Sequence, residues 1–320
     1  MEVIQLGAVD QPVPAPGVVS DGSAVTIGAY DGVHLGHRAL IARTRDAASR
    51  LGCASVVVTF DRHPASVVRP ESAPRILTDL DQKLELLAST GVDVTVVVHF
   101  DRERAAEEPD RFVREVLVGL VRSRAVVVGE DFHFGRARAG NVAMLRRLGD
   151  ELGFEVDGLG LLAQSGAAVS STRIRALIAA GDVEAAAGLL GRPHQVRGSV
   201  VPGDARGREL GFPTANVSVA ADLAVPADGV YAGWYAGEDG TRRGACVSVG
   251  RRPTFYDDAD GSLVEAHVLD FAGDLYGQRA RVEFLGRQRG QERFDSVDDL
   301  VAQMSVDVEQ TRRRLAVAAP

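Results

Sequence analysis

Between residues 24 and about 190 the chain alternates short unbroken apolar runs with longer stretches in which apolar side chains recur every three or four positions. The runs at 24–28 (AVTIG), 54–60 (ASVVVTF), 92–98 (VDVTVVV) and 125–129 (AVVVG) show little polar alternation, as expected of parallel strands covered on both faces. A weaker fifth run lies at 154–162. Between the runs, 35–51, 80–90, 109–122 and 140–153 have helical spacing, with Asp79 or Asp81 and Pro109 as starts and Gly91 and Gly153 as stops. Repeated strand and helix of this kind predict a doubly wound α/β domain.

After residue 190 the pattern changes. Gly191-Arg192-Pro193 interrupts the helical period, and short alternating segments follow at 195–201, 229–236, 244–249, 263–271 and 279–285, separated by Gly, Asp and Pro. Strands of that length predict an antiparallel barrel or sandwich, closed by one amphipathic helix over 296–316. The expected division is a first domain at 1–187 and a second at 188–320, with no internal repeat.

Composition agrees with two globular domains: 320 residues, 45% apolar and 25% charged. Thirty-six Lys/Arg against 44 Asp/Glu leave a net charge of −8 without a basic block. That argues against a general nucleic-acid or anionic-membrane binder, since neutralising phosphates needs clustered positive charge. No apolar run is long enough to cross a bilayer, and Met1-Glu2-Val3 lacks the basic start of a secretory leader, so the expected setting is the cytoplasm. Cys53 and Cys246 have no Cys-x-x-Cys spacing and are expected to be buried thiols rather than a disulfide or zinc ligands.

The chemistry concentrates where strands give way to helices. Residues 26–38 read TIGAYDGVHLGHR, placing His34-x-Gly36-His37 between the first strand and its helix, where open α/β sheets bind ligands. A helix start offers free N–H groups and a positive dipole end. Gly36 leaves room for a phosphate, the i, i+3 spacing brings both imidazoles to the same anion, and Gly28 and Asp31 of this loop join the candidate set. An isolated pair of histidines at this spacing is equally a helix cap and the residue packed beneath it. A metal site is disfavoured, because no third ligand lies nearby in sequence.

Residues 169–175, VSSTRIR, form a second anion feature: Ser170 or Ser171 can cap a helix whose first turn carries Thr172, Arg173 and Arg175. Two further loops follow strand ends, TFDRHP at 59–64 and GEDFHFG at 129–135. Phe60, Phe132 and Phe134 can supply an apolar platform, Asp61 and Asp131 can accept hydrogen bonds from a ring or ribose, and His63 is a further contact. Each is also compatible with a core or capping role.

In the second domain, residues 203–216 read GDARGRELGFPTAN. Gly203 and Gly207 permit close backbone approach, Arg206 and Arg208 bring charge, and Thr214 with Asn216 forms a hard-oxygen pair suited to Mg²⁺ beside phosphate. The Gly-Lys-Ser/Thr ending of a Walker loop is missing. In LVEAHVL at 263–269 the alternation puts Glu265 and His267 on the face opposite Val264, Ala266 and Val268. If that face lines a barrel mouth, Glu265 can take the proton of an attacking hydroxyl.

Ten segments in order, TIGAYDGVHLGH, TFDRHP, ILTDLDQKLELL, VVGEDFHFG, SSTRIRALIAAGDVEAAAGLLGRP, RGRELGFPTAN, GVYAG, RRPTF, VEAHVLDF and DLYG, resemble the prokaryotic bifunctional riboflavin kinase/FMN adenylyltransferase family, or FAD synthetases, over roughly residues 18 to 310. The resemblance implies an N-terminal nucleotidylyltransferase-like domain joining FMN to the AMP of ATP. It also implies a C-terminal riboflavin-kinase barrel making FMN from riboflavin and ATP. His34 and His37 would hold ATP phosphates, Ser171, Thr172 and Arg173 would complete the clamp, and Asp131 would sit near the nucleotide. Thr214 and Asn216 would bind Mg-ATP and Glu265 would be the base.

Small molecules are the implied partners, and the oligomeric state, a homo-oligomer included, stays open. Alternatives are a member retaining mainly the adenylyltransferase step, a related enzyme with another acceptor, and a flavin-binding regulatory protein. Tyr30 stands where Phe is usual, Arg62 where Pro is usual, Arg251-Arg252 precede Pro253-Thr254-Phe255 where Thr followed by Asn or Arg is commoner, and Gln288-Arg289-Gly290-Gln291 replaces Leu-Arg-x-Glu.

Overall fold

The structure, a computed structural model, describes residues 1–7, 19–203, 207, 210–250 and 263–318. It divides into two compact units, Met1–Ser170 and Ser171–Pro320.

The first unit holds strands β1 (Glu2–Leu6), β2 (Ser23–Ile27), β3 (Ala54–Phe60), β4 (Val94–Val98) and β5 (Ser123–Gly129). Two small hairpins, β6 (His133–Phe134) with β7 (Gly140–Asn141) and β9 (Ala163–Gln164) with β10 (Ala167–Ala168), flank β8 (Glu155–Leu159). The main sheet has six strands in the order β1-β4-β3-β2-β5-β8, every pair parallel. All five residues of β2 and of β4 are buried, which accounts for their lack of alternation. From β2 the chain winds outward through β3 on one side, while β5 pairs on the other, so the end of β2 is the topological switch point of the sheet.

The helices are α1 (Leu35–Leu51), α2 (Pro64–Val68), α3 (Leu80–Ala88), α4 (Arg102–Ala106), α5 (Pro109–Phe112) and α6 (Val142–Leu152). Asp79, not Asp81, caps α3 by accepting from the Gln82 N–H at 2.7 Å, and Gly153 closes α6 in the left-handed conformation at φ 84°. The helix expected over 109–122 begins at Pro109 but widens into π-helical turns over Val113–Leu120, where the Val121 N–H reaches the Val116 carbonyl five residues back. Strand β1 was not expected. It is an edge strand with two of five residues buried, so its periodicity is weak.

The second unit opens with α7 (Ser171–Ala180) and α8 (Val183–Leu190), and α8 packs on the barrel strands β11 (His194–Val201) and β16 (Arg279–Arg289). With β12 (Ala215–Val219), β13 (Gly229–Ala236), β14 (Arg242–Gly250) and β15 (Leu263–Val268) these close a barrel in the order β11-β12-β15-β14-β13-β16, antiparallel throughout. Of the two expected alternatives, barrel and sandwich, the chain forms the barrel. Strand β12 went unread because its residues ANVSV were counted as the end of a loop, although Val217 and Val219 are buried and Ser218 exposed, in strand alternation.

Helix α9 (Val297–Ala318) closes this unit. Arg289 of β16 meets Asp307 of α9 at 2.7 Å, with only 16% and 4% of the two side chains exposed, and Gln288 donates to the Thr311 hydroxyl at 2.6 Å. Gln291 donates to the Ser248 hydroxyl and the Val249 carbonyl, both at 3.0 Å. The unusual Gln-Arg-Gly-Gln run therefore fastens the barrel to its helix and to the end of β14. Cys53 and Cys246 are unpaired thiols, half-buried rather than buried as expected, and burial pushes the Cys246 thiol up to about 11.

Candidate active sites

The loop from β2 to α1 lies at the switch point and is built under constraint. Tyr30 and Val33 hold positive φ of 48° and 38° without being glycine, a strain that is retained only where surroundings enforce it. The Tyr30 ring is buried, and its hydroxyl meets Thr26 at 2.6 Å. The Tyr-for-Phe difference thus comes with a partner for the added oxygen. Burial drives that phenol well above its ordinary range, so it stays protonated.

His34 caps α1: its Nδ1 accepts from the His37 N–H at 3.3 Å, which leaves the neutral ring its proton on Nε2. The two imidazoles stack at 3.6 Å and 15°, and Tyr30 lies 4.9 Å from His37. Capping thus engages one nitrogen of His34. A Cβ on Gly36 would stand 3.2 Å from the His34 ring and 3.4 Å from the Val169 carbonyl. The glycine seats the histidine as well as clearing the helix start. Gly28 is half-buried, 3.2 Å in the same sense from the Tyr30 ring.

Asp31 is buried, and its carboxylate accepts from the N–H groups of Leu77 and Thr78 at 2.8 and 3.1 Å. Asp61 accepts from the Phe100 N–H at 2.9 Å and meets His99 at 2.8 Å, with Arg62 beside it at 3.1 Å. Burial pushes the Asp61 carboxyl up, but these donors outweigh it and hold the group below its usual value. Lys83, unread in the sequence, donates to the Phe60 carbonyl at 2.6 Å and to the Ala29 carbonyl at 3.4 Å, joining the ends of β2 and β3. Burial brings its amine down to about 8 despite Asp31 and Asp61. Its neighbour Gln82 is buried as well, so the buried face of α3 carries two polar residues beside Leu87 and gives no clean apolar stripe from which to single out the lysine.

Phe60 packs edge-on to Phe100 at 5.1 Å, His63 caps α2, and Phe132 stacks on Phe134 at 5.4 Å. Asp131 is exposed. Ser171, Thr172 and Arg173 form the first turn of α7 and belong to the second compact unit; Thr172 is exposed, and Ser171 and Arg173 are half-buried.

In the barrel the register brings together what the sequence separates. Asn216 lies directly opposite Glu265 on the neighbouring strand, and Glu265 is in turn opposite Ser248, so the three share one face. Val217, Val264, Ala266 and Val249, at the alternate positions, are buried. Asn216 is only 5% exposed, and among the described residues its Oδ1 has no hydrogen-bond partner. A Cβ on Gly203 would fall on the Asn216 amide, so a glycine is required at that approach. The Phe212 N–H donates to the Gly207 carbonyl at 2.7 Å, turning the chain into Thr214, which is half-buried.

An orphaned buried amide oxygen suits a hard cation that keeps most of its shell from phosphate and water, and no cluster of three or more His, Cys, Asp or Glu able to hold a metal occurs among the described residues. Thr214 also borders a cleft of about 310 Å³ lined by Val200, Phe271, Asp274 and Tyr276 among others. The sequence named the DLYG run there without giving it a role. Arg206, Arg208, Arg251 and Arg252 lie outside the described residues.

A family model described as FAD synthetase matches residues 18–173, and one described as riboflavin kinase matches residues 190–315. A bifunctional riboflavin kinase/FMN adenylyltransferase of Escherichia coli K12 is 36% identical over 300 residues, covering 94% of this chain and 95% of its own. The chain belongs to this bifunctional family. Members from Pseudomonas fluorescens (38% over 299 residues, 93% and 94% covered) and Listeria monocytogenes (37% over 289 residues, 90% and 91%) agree. A crystal structure described as a macrolide-efflux protein of Streptococcus pneumoniae has a TM-score of 0.85 at 31% identity, over 97% of this chain and 99% of that one. The fold is what the two share; no helix among the described residues is long and apolar enough to cross a membrane. The FAD synthetase model ends on Arg173, so in sequence the Ser-Thr-Arg turn goes with the N-terminal activity.

Proposed function

We propose that the chain phosphorylates riboflavin to FMN in its barrel and joins FMN to the AMP of a second ATP with its N-terminal unit, releasing pyrophosphate. The functional division we assign is 1–187 and 188–320, with Ser171, Thr172 and Arg173 serving the N-terminal reaction. What carries the reading is that a FAD synthetase model and a riboflavin kinase model match successive parts of a chain that aligns with a bifunctional relative over 94% of its length.

In the barrel, Glu265 accepts the proton of the riboflavin 5′-hydroxyl as that oxygen attacks the γ-phosphate and the bond to the β,γ-bridging oxygen breaks, with ADP leaving. Thr214 and Asn216 would hold Mg²⁺, which when bound neutralises phosphate charge. The glycines at 203 and 207 let backbone approach the phosphates, with Arg206 and Arg208 adding charge. In the N-terminal unit the attacking FMN phosphate is already an anion, so no strong base is needed. His34, His37 and the start of α1 orient the ATP phosphates and offset their charge, helped by Ser171, Thr172 and Arg173. Gly28 and Gly36 keep the approach open, and Phe60, Asp61, His63, Asp131 and Phe132 border the nucleotide or flavin. Asp31 contributes by holding residues 77–78 against the loop. A cytoplasmic setting belongs to the same proposal, because both steps consume ATP.

Purified protein mixed with riboflavin, ATP and Mg²⁺ tests this by chromatography. FMN followed by FAD supports it. FMN alone, FAD only from supplied FMN, or neither product removes one half or both.

A further inference from the structure

Pro213 ends the pairing of β12 with β15. The ladder begins at Ala215 opposite Ala266, and a proline has no N–H with which to continue it. The carbonyl of Pro213 is instead met by a side chain: His267 of β15 donates from Nδ1 at 2.9 Å, and its ring stands edge-on to Phe212 at 5.4 Å. This bond spans the gap where the backbone ladder stops, and the next residue along the chain is Thr214. His267 also lies two positions from Glu265 on the same strand and face. One imidazole thus ties the loop that carries Thr214 to the strand that carries Glu265.

We propose that His267 is a positioning residue of the kinase half, holding Thr214 in register with Glu265 through the Pro213 carbonyl. It touches neither substrate nor metal in this role. The inference rests on the assignment of Thr214 to Mg-ATP. Its requirement is a single donor at Nδ1, which the neutral ring with its proton on that nitrogen and the imidazolium both supply. Asparagine places an amide N–H near the Nδ1 position, whereas glutamine places one nearer Nε2. The two amides therefore separate a positional role from mere polarity or bulk.

The test measures both activities of the full chain in H267A, H267N, H267Q and T214V. Misplacing a phosphate-binding group by about 1 Å costs on the order of 100-fold. The expectation is a 10- to 100-fold fall in riboflavin phosphorylation for H267A and H267Q, order-of-magnitude figures on the same basis, with H267N within about threefold of wild type. FMN adenylylation from supplied FMN should stay unchanged in all of them, and Trp234 fluorescence in urea, which reads the barrel itself, should show that each variant remains folded. The proposal is overturned if H267A keeps full kinase activity while T214V loses it, if H267N and H267Q behave alike, or if adenylylation falls in parallel. Should T214V itself keep kinase activity, the assignment of Thr214 fails, and this inference with it.

Discussion

Replacing Lys83 by methionine removes a charge from a place where charge is costly. The residue is 6% exposed, and burial lowers its amine from 10.5 to about 8, against the opposing pull of Asp31 and Asp61. A lowered amine pKa means that the unfolded chain binds more protons than the folded one between those two values, so this group makes stability rise with pH across that window. Below pH 8 the folded state bears the full penalty; above 10.5 it bears none. A shift of this size is worth about 3 kcal/mol.

The wild type should therefore gain on K83M by about 3 kcal/mol between pH 7 and pH 10.5. Loss of the bonds to the Phe60 and Ala29 carbonyls adds an offset that does not vary with pH. The sole tryptophan, Trp234, lies in the barrel strand β13 and does not report on this unit. Urea titration read by pulsed hydrogen exchange on peptides covering residues 54–60 does. A difference between the two proteins that is flat with pH, or that shrinks as pH rises, refutes the reasoning.

His37→Ala should lower the kcat of FMN adenylylation by roughly 100-fold with KM for FMN nearly unchanged, because its work is on phosphate charge; steady-state kinetics from supplied FMN check this, with kinase activity as the control. Glu265→Gln should cut riboflavin phosphorylation by about 100-fold or more while adenylylation persists, as measured by separate assays of the two steps. Asp307→Ala leaves Arg289 without its carboxylate in a nearly closed site and should cost the barrel about 3 kcal/mol, read from Trp234 fluorescence in urea.

The fold class could be read from sequence because parallel strands covered on both faces leave runs such as ASVVVTF that little else produces. Edge and irregular pieces were less legible. β1 has few buried positions, the π-helical turns at Val113–Leu120 share the apolar spacing of an ordinary helix, and β12 was masked by the glycine-rich loop before it. The histidine pair announced itself through its spacing. Which groups meet across the fold did not. The pairing of Asn216 with Glu265 depends on the order of barrel strands, and the reach of Lys83 to two loop carbonyls depends on how α3 packs against the sheet. Asp31 looked like a ligand contact by its place in the motif, yet its oxygens are engaged by the backbone of residues 77–78, a partner 46 positions away.

Isotope tracing tests the central claim, that two phosphoryl chemistries use separate residues of one chain. With γ-labelled ATP and riboflavin, FAD should carry label in the phosphate of its FMN half, and with α-labelled ATP in its AMP half. H37A should make only γ-labelled FMN, and E265Q only α-labelled FAD from supplied FMN. A wild type whose flavin phosphate takes no γ-label, or a single substitution that abolishes both transfers in a folded chain, would contradict the account.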